Sequence, residues 1–121
     1  MIKIIYCIKR KPHLTRQQFQ DYWRDHHAKL VWERARAIGM VKYVLNFTID
    51  SRMGAACAAS RGGAEPFDGV MEGWWESDDA GMAAMGSDGG RKAMEILHHD
   101  EEAFMDFERC VIFTAQEKVW Q

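Results

Sequence analysis

Phe19-Gln20-Asp21-Tyr22-Trp23-Arg24-Asp25-His26-His27-Ala28-Lys29-Leu30 is the stretch on which the fold of this chain turns. Phe19, Tyr22, Trp23 and Leu30 recur at the spacing of a helix with one apolar side. Just ahead, Thr15-Arg16-Gln17-Gln18 reads as a capping box, the threonine bonding forward and Gln18 reaching back. The spacing predicts a helix running to about Ala37, with Gly39 as its stop signal. Turning about 100° per residue from Phe19 puts Trp23 at about 40°, Leu30 at about 20°, Tyr22 at about 300° and Val31 at about 120°. His26 falls at about 340° and His27 at about 80°, one on each side of the apolar direction. Helix geometry alone does not choose between them. Tyr22 with His26, and Trp23 with His27, are i,i+4 pairs expected to touch.

An imidazole in that place has two readings. It is a general base or acid, kept neutral near pH 7 by desolvation, or a histidine at the edge of a core bonded to a backbone group. The positions three and four away from His27 hold Trp23, Arg24, Leu30 and Val31. None is an acid, so a carboxylate that orients the ring has to come from elsewhere in the fold.

Outward from the helix the chain alternates in strands. Ile2, Ile4, Tyr6 and Ile8 share one face of residues 1–9, and Lys11-Pro12 breaks the run. Val41, Tyr43, Leu45, Phe47 and Ile49 repeat the pattern over residues 41–50. Residues 51–66 turn small and glycine-rich, which predicts a long flexible loop. Val70, Glu72, Trp74 and Glu76 oppose Met71, Gly73 and Trp75 in a third strand. Asp78 or Asp79 can cap a helix that Gly86 and Gly89-Gly90 interrupt and that resumes from Arg91 to about Phe104. Val111 to Trp120 is the predicted last strand. The order β-α-β-β-α-β is the split-βαβ, ferredoxin-like arrangement, an α+β fold with one antiparallel sheet and both helices on one face. The second face of such a sheet is left bare and rich in apolar residues, so a symmetric homodimer pairing two sheets is expected.

Length and composition agree with this. A chain of 121 residues is expected to form one domain over 1–121, and 47% apolar residues suffice for a core. A formal net charge of −2, from 16 basic and 18 acidic residues, gives no electrostatic footprint for nucleic acid or membrane. No apolar run approaches the roughly 20 residues that span a bilayer. Met1 leads straight into Ile-Lys-Ile-Ile-Tyr with no secretory signal, and Cys7, Cys57 and Cys110 lack CxxC spacing, so a reduced cytoplasmic protein is expected. Five tryptophans and eight methionines point to apolar cavities or interfaces beyond a minimal core.

Other candidate residues are fewer. Neighbouring helical side chains diverge by about 100°, so neither His26-His27 nor His98-His99 chelates one metal by itself. Glu95 with His99, or His98 with Glu102, has spacing for weak metal binding, but beside Asp100 and Glu101 the stretch reads as a solvated, charged helix end. Nothing matches HExxH, a P-loop, GxGxxG or a nucleophile elbow. Tyr43 could lend a phenolic hydroxyl to polarise a carbonyl, or simply be a half-buried strand tyrosine. Trp74 and Trp75 point to opposite faces of their strand, one into the helix–sheet space and one toward the dimer face, and Phe113 joins one of these walls.

These stretches resemble the EthD family of the dimeric α/β-barrel superfamily. Ile4-Ile5-Tyr6-Cys7 with Lys9-Arg10-Lys11-Pro12 is similar to the family's first strand and turn. Phe19 and Tyr22-Trp23-Arg24-Asp25-His26-His27 match its F-x-x-Y-W-x-x-x-H signature, and Phe67-Asp68-Gly69-Val70-Met71-Glu72-Gly73-Trp74-Trp75 resembles its third strand. A weaker match covers Phe104-Met105-Asp106 through Glu117. The chain departs from the family at Ala28-Lys29-Leu30, where a small residue, proline and leucine are usual. Its 51–66 insertion is also longer than the pattern needs.

The resemblance implies that His27 is the functional histidine, and that each protomer of a homodimer holds a pocket between helices and sheet. Family members and relatives include an accessory protein of ether degradation, muconolactone isomerases, chloride-eliminating lactone enzymes and fungal polyketide dehydratases or cyclases. Their shared chemistry, proton movement beside a carbonyl without a cofactor, needs a neutral base, an oxyanion partner and a dry aromatic pocket. On that basis His27 and Tyr43 are the expected catalytic pair, with Tyr6, Trp23, Trp74, Trp75 and Phe113 binding a small hydrophobic substrate. The expected function is a cofactor-free lyase, isomerase or cyclase acting on a lactone or aromatic polyketide-like compound. The alternatives are a non-catalytic accessory or ligand-binding protein and a haem-binding relative with His27 as axial ligand.

Overall fold

The computed structural model describes residues 1–121. Strand β1 (Ile2–Ile8) is followed by helix α1 (Arg16–Tyr22), which passes through a wide π turn (Trp23–His27) into α2 (Ala28–Glu33) and α3 (Ala35–Ile38). Strand β2 (Lys42–Phe47), helix α4 (Arg52–Ser60), strand β3 (Gly69–Trp75), helices α5 (Asp78–Gly86) and α6 (Asp88–Glu101), and strand β4 (Val111–Ala115) complete the chain. The sheet order is β2-β3-β1-β4, every neighbouring pair antiparallel. This is the α+β, ferredoxin-like arrangement that the alternating strands predict.

Local signals account for the element ends. The capping box is closed in both directions: Gln18 N–H donates to Thr15 Oγ1 at 3.1 Å and Thr15 N–H to Gln18 Oε1 at 2.9 Å. Gly39 ends α3 in the left-handed conformation, at φ 79°, where glycine avoids the Cβ penalty. The next helices are capped by serines rather than by Asp78 or Asp79. Ser77 Oγ accepts from Ala80 N–H and Ser87 Oγ from Gly90 N–H, both at 3.0 Å. The aspartates occupy the first turn, where their charge suits the helix dipole.

Two expectations are corrected. Residues 51–66 are not all loop: Arg52–Ser60 form α4, capped by Ser51 and carried by alanine's high helix propensity, with no buried residue. The last strand stops at Ala115 rather than Trp120. Ala115 pairs with Lys3 and β1 begins at Ile2, so the ladder runs out of partner.

The register divides the sheet into two faces. Ile4, Tyr6, Tyr43, Leu45, Met71, Trp75 and Ile112 stand on the side of the helices, while Lys3, Lys42, Val44, Val70, Glu72, Trp74, Val111 and Phe113 stand on the other. Two apolar clusters fill the helix side. One joins Val31, Ala35, Ile38, Met40, Trp75, Ala93 and Leu97; the other joins Ile8, Phe19, Trp23, Phe104 and Met105. Buried Asp68 ties the end of β1 to β3 by accepting from the Arg10 backbone N–H at 2.8 Å and from its guanidinium. No helix is long and apolar enough to cross a membrane.

Trp23 lies so close to β3 that a Cβ on Gly69 would sit 2.3 Å from its ring. Gly69→Ala should therefore lower the free energy of unfolding by about 1–3 kcal/mol, through displacement of Trp23. Gly89→Ala, where a Cβ meets nothing within 4 Å, should leave stability unchanged or raise it. Urea titration of the two variants checks both.

Candidate active site

The wide turn decides which histidine faces inward. Ala28 N–H reaches back to Trp23 C=O, an i→i+5 bond in place of the usual i→i+4. Each residue of such a turn rotates less than 100°, to roughly 80–90°. His27 is thereby swung onto the apolar stripe and His26 off it. His27 is 3% exposed, whereas the His26 side chain is 55% exposed. As the i,i+4 rule predicts, Tyr22 packs on His26, with ring centroids 4.8 Å apart. His27 lies against Phe104 instead, at 5.1 Å.

The carboxylate absent from the neighbourhood of His27 in sequence comes from the end of α6. Asp100 Oδ2 stands 2.7 Å from His27 Nδ1. A carboxylate only accepts, so Nδ1–H donates and the Nε2 lone pair is left for whatever lies beyond. Asp100 Oδ1 also accepts from the Tyr22 hydroxyl at 2.6 Å and faces His26 Nε2 at 3.2 Å. Burial pushes His27 below the ordinary imidazole value, and the Asp100 bond only partly offsets this. That direction favours the neutral ring. Burial works to raise Asp100, but the bonds from Tyr22 and His27 outweigh it and hold the carboxyl below its usual range.

Beyond Nε2 lies a cavity of about 380 Å³ between the helices and the sheet. Tyr6, Trp23, His27, Tyr43 and Trp75 all line it. So do five methionines, Met40, Met71, Met85, Met94 and Met105, whose flexible thioethers make adaptable walls. Glu101 enters from the far side. Its Oε1 accepts from the Tyr6 hydroxyl at 3.1 Å, and its Oε2 is 3.7 Å from His27 Nε2, beyond hydrogen-bond length. Asp100 and Glu101 thus face opposite edges of one imidazole, which is how adjacent residues diverging by about 100° come to address the same ring. Burial pushes the Glu101 carboxyl up to about 7. Burial and then the nearby Glu101 also raise the Tyr6 and Tyr43 phenols, so both keep their protons.

Trp74 and Phe113 do not join this group. Strand alternation puts them on the outer face, where Lys3 and Lys42 lie over the Trp74 ring at 5.1 and 4.7 Å and Phe113 is 47% exposed. The reading of Asp100 and Glu101 as part of a solvated helix end is likewise corrected, because both turn inward. Glu101 continues the buried Ala93–Leu97 stripe of α6 at i+4 spacing, a sequence signal for an inward acid. No cluster of three or more His, Cys, Asp or Glu side chains could hold a metal ion.

The EthD domain model matches residues 11–108. Among solved structures, an ethyl tert-butyl ether D (EthD) family protein from Bacillus halodurans superposes with a TM-score of 0.62 at 20% identity, over 98% of this chain and 99% of that one. A dimeric protein of unknown function with a ferredoxin-like fold from Bacteroides fragilis gives 0.60 at 7% identity, over 96% and 95%. SnoaB, a cofactor-independent oxygenase from Streptomyces nogalater, gives 0.53 at 14% identity, over 98% and 94%. At these identities the likeness is one of fold. No curated protein matches the chain.

The two inward groups bias stability in opposite senses. Glu101 binds its proton more tightly folded than unfolded, so its contribution is lost as pH rises from the ordinary 4.5 toward 7. His27 is charged more easily when unfolded, so its burial costs stability below about 6.5. Glu101→Gln should therefore remove a loss of up to about 3 kcal/mol between pH 4.5 and 7 and leave the His27 slope. Wild-type and variant denaturation curves across that window read the difference.

Proposed function

The chain belongs to the EthD domain family, and from that premise we propose that it is a cofactor-independent enzyme moving a proton next to a carbonyl. Its substrate is a small hydrophobic compound, of lactone or aromatic polyketide-like type, and the reaction is of isomerase, lyase or cyclase class. The observation that carries this reading is the His27–Asp100 pair, its Nε2 left free beside an apolar cavity that Tyr6 and Tyr43 also line. Asp100 fixes the tautomer and the ring orientation. Burial keeps the imidazole neutral, the state a base requires. A protonated phenol can donate to the oxygen on which charge develops, and dry walls strengthen that bond. Tyr43 takes this role, with Trp23 and Trp75 as the aromatic walls. The cofactor-independent oxygenase among the structural neighbours supports the idea that this fold runs chemistry on its own side chains. A non-catalytic accessory role would need no carboxylate on His27, and the Asp100 bond at 2.7 Å favours the base over it.

The bare sheet face is assigned to a homodimer. Its exposed Val111 and Phe113, beside the half-covered Lys3–Glu72 ion pair at 2.7 Å, form an apolar surface with a polar centre. The dimeric neighbour from Bacteroides fragilis supports the assignment.

Deuterium uptake at the carbons flanking the carbonyl of β-tetralone, followed by NMR in heavy water, tests the catalytic reading. Wild-type protein should accelerate uptake, and His27→Gln should cut the acceleration about 10²–10⁴-fold at an unchanged melting temperature. Equal rates in the two proteins would refute it. For the dimer, sedimentation equilibrium should give twice the chain mass, and Phe113→Lys should shift the population to monomer.

A further inference from the structure

We propose that Glu101 is a catalytic residue, the acid that works opposite His27, and that the cavity therefore selects uncharged enolisable carbonyl compounds over carboxylates. This rests on the reading of His27 as base and deepens it.

The geometry distinguishes Glu101 from its neighbour. Asp100 is engaged by Tyr22, His26 and His27, whereas Glu101 accepts from Tyr6 alone and leaves Oε2 without a donor. Glu101 is also the only acid lining the cavity, and no lysine or arginine lines it. A carboxylate with one hydrogen bond, no counter-ion and apolar walls is costly, so the carboxylic acid persists there to a higher pH than it would in water. The charge and titratable groups that face it agree. They are Tyr6 on β1, His27 on the first helix, Tyr43 on β2, Cys110 ahead of β4, and Asp100 and His98 on its own helix. His98 is largely exposed at the rim, which leaves the interior without a fixed cation. Burial accordingly raises Glu101 to about 7, where acid and carboxylate coexist near neutral pH.

The proton count closes on these groups alone. His27 Nε2 takes a proton from the carbon beside the carbonyl, the C–H electron pair becomes the C=C bond, and the carbonyl π pair moves to oxygen. Glu101 gives its proton to that oxygen, so the product is a neutral enol flanked by imidazolium and carboxylate. In an isomerisation His27 returns its proton to a different carbon while Glu101 recovers the enol proton. After simple enolisation the imidazolium and the carboxylate, 3.7 Å apart, exchange the proton and reset the site. Above about pH 7, where Glu101 is ionised, a carboxylate substrate would place a second negative charge beside it with no cation to receive it, whereas a ketone or lactone brings none.

Fluorescence of Trp23 and Trp75, both in the cavity wall, reports binding of β-tetralone and of the similarly sized β-naphthoate. The wild type at about pH 8.5 should bind the ketone at least about tenfold more tightly, and Glu101→Gln should narrow the gap to about threefold. Glu101→Gln should also slow deuterium uptake about 10–100-fold and abolish the fall in rate that the wild type shows above about pH 7. Tyr6→Phe, which leaves Glu101 in place without its one donor, should move that fall to higher pH, and so guards against misfolding of the first variant. Equal binding of ketone and carboxylate by the wild type, or no binding of either at about 1 mM, overturns the selectivity. Full uptake in Glu101→Gln with an unchanged pH profile overturns the catalytic role while leaving His27 as base. Absence of uptake in the wild type defeats the reading of His27 itself, and the ligand comparison then decides the charge selection alone.

Discussion

Asp100 is the joint on which the candidate site depends. It sits in the last turn of α6, where the helix dipole disfavours a negative charge. It is kept there by donors from the first helix, Tyr22 and His27, with His26 beside them. One carboxylate thereby docks two helices, selects the tautomer of a buried imidazole and aims its free nitrogen. Each hydrogen bond to an ionised partner is worth more than a neutral one, about 1.5–3 kcal/mol, so the joint stabilises the fold as well as orienting the ring.

The π turn is the other half of the construction. An i→i+5 bond inserts what amounts to one extra residue into the helix, at a cost in regularity that a purely structural helix has no reason to carry. Here the insertion separates two adjacent histidines, one to solvent and one to the cavity. Trp23 at its start fits over Gly69, where no other side chain leaves room for the indole. The turn, the glycine and the carboxylate are therefore three parts of one arrangement, although they lie on three distant stretches of chain.

Much of the fold was legible because its signals are local. Alternation in β1 to β3, the Thr15–Gln18 capping box and Gly39 each report on a few neighbouring residues. The element order followed from them, whereas the family rests on the separate resemblance of Phe19 and Tyr22–His27 to the EthD signature and on the family match over residues 11–108. What was not legible came from competition or from distance. In residues 51–66 the glycines outweighed the alanines in the reading, whereas in the chain the Ser51 cap lets the alanines win. The end of β4 depends on where β1 starts, which β4 itself does not encode. At the site, an ideal helical wheel put His26 and His27 on equal footing, and only the irregular turn separates them. Asp100 and Glu101 looked like solvent-facing charges because nothing adjacent in sequence reveals that they meet His27. Trp74 and Phe113, read as ligand contacts, fell on the outer face through the same period-two rule that located Trp75 within.

The methionine-rich wall has a chemical consequence. A thioether accepts an oxygen atom from peroxide and becomes a sulfoxide, polar and chiral where the side chain had been soft and apolar. Met94 is partly open to solvent and so is the first that an oxidant would reach, while Met40 and Met105 lie sealed deeper in. Within the wall, oxidation would accordingly proceed from the rim inward, wetting the chamber before it loosened the fold.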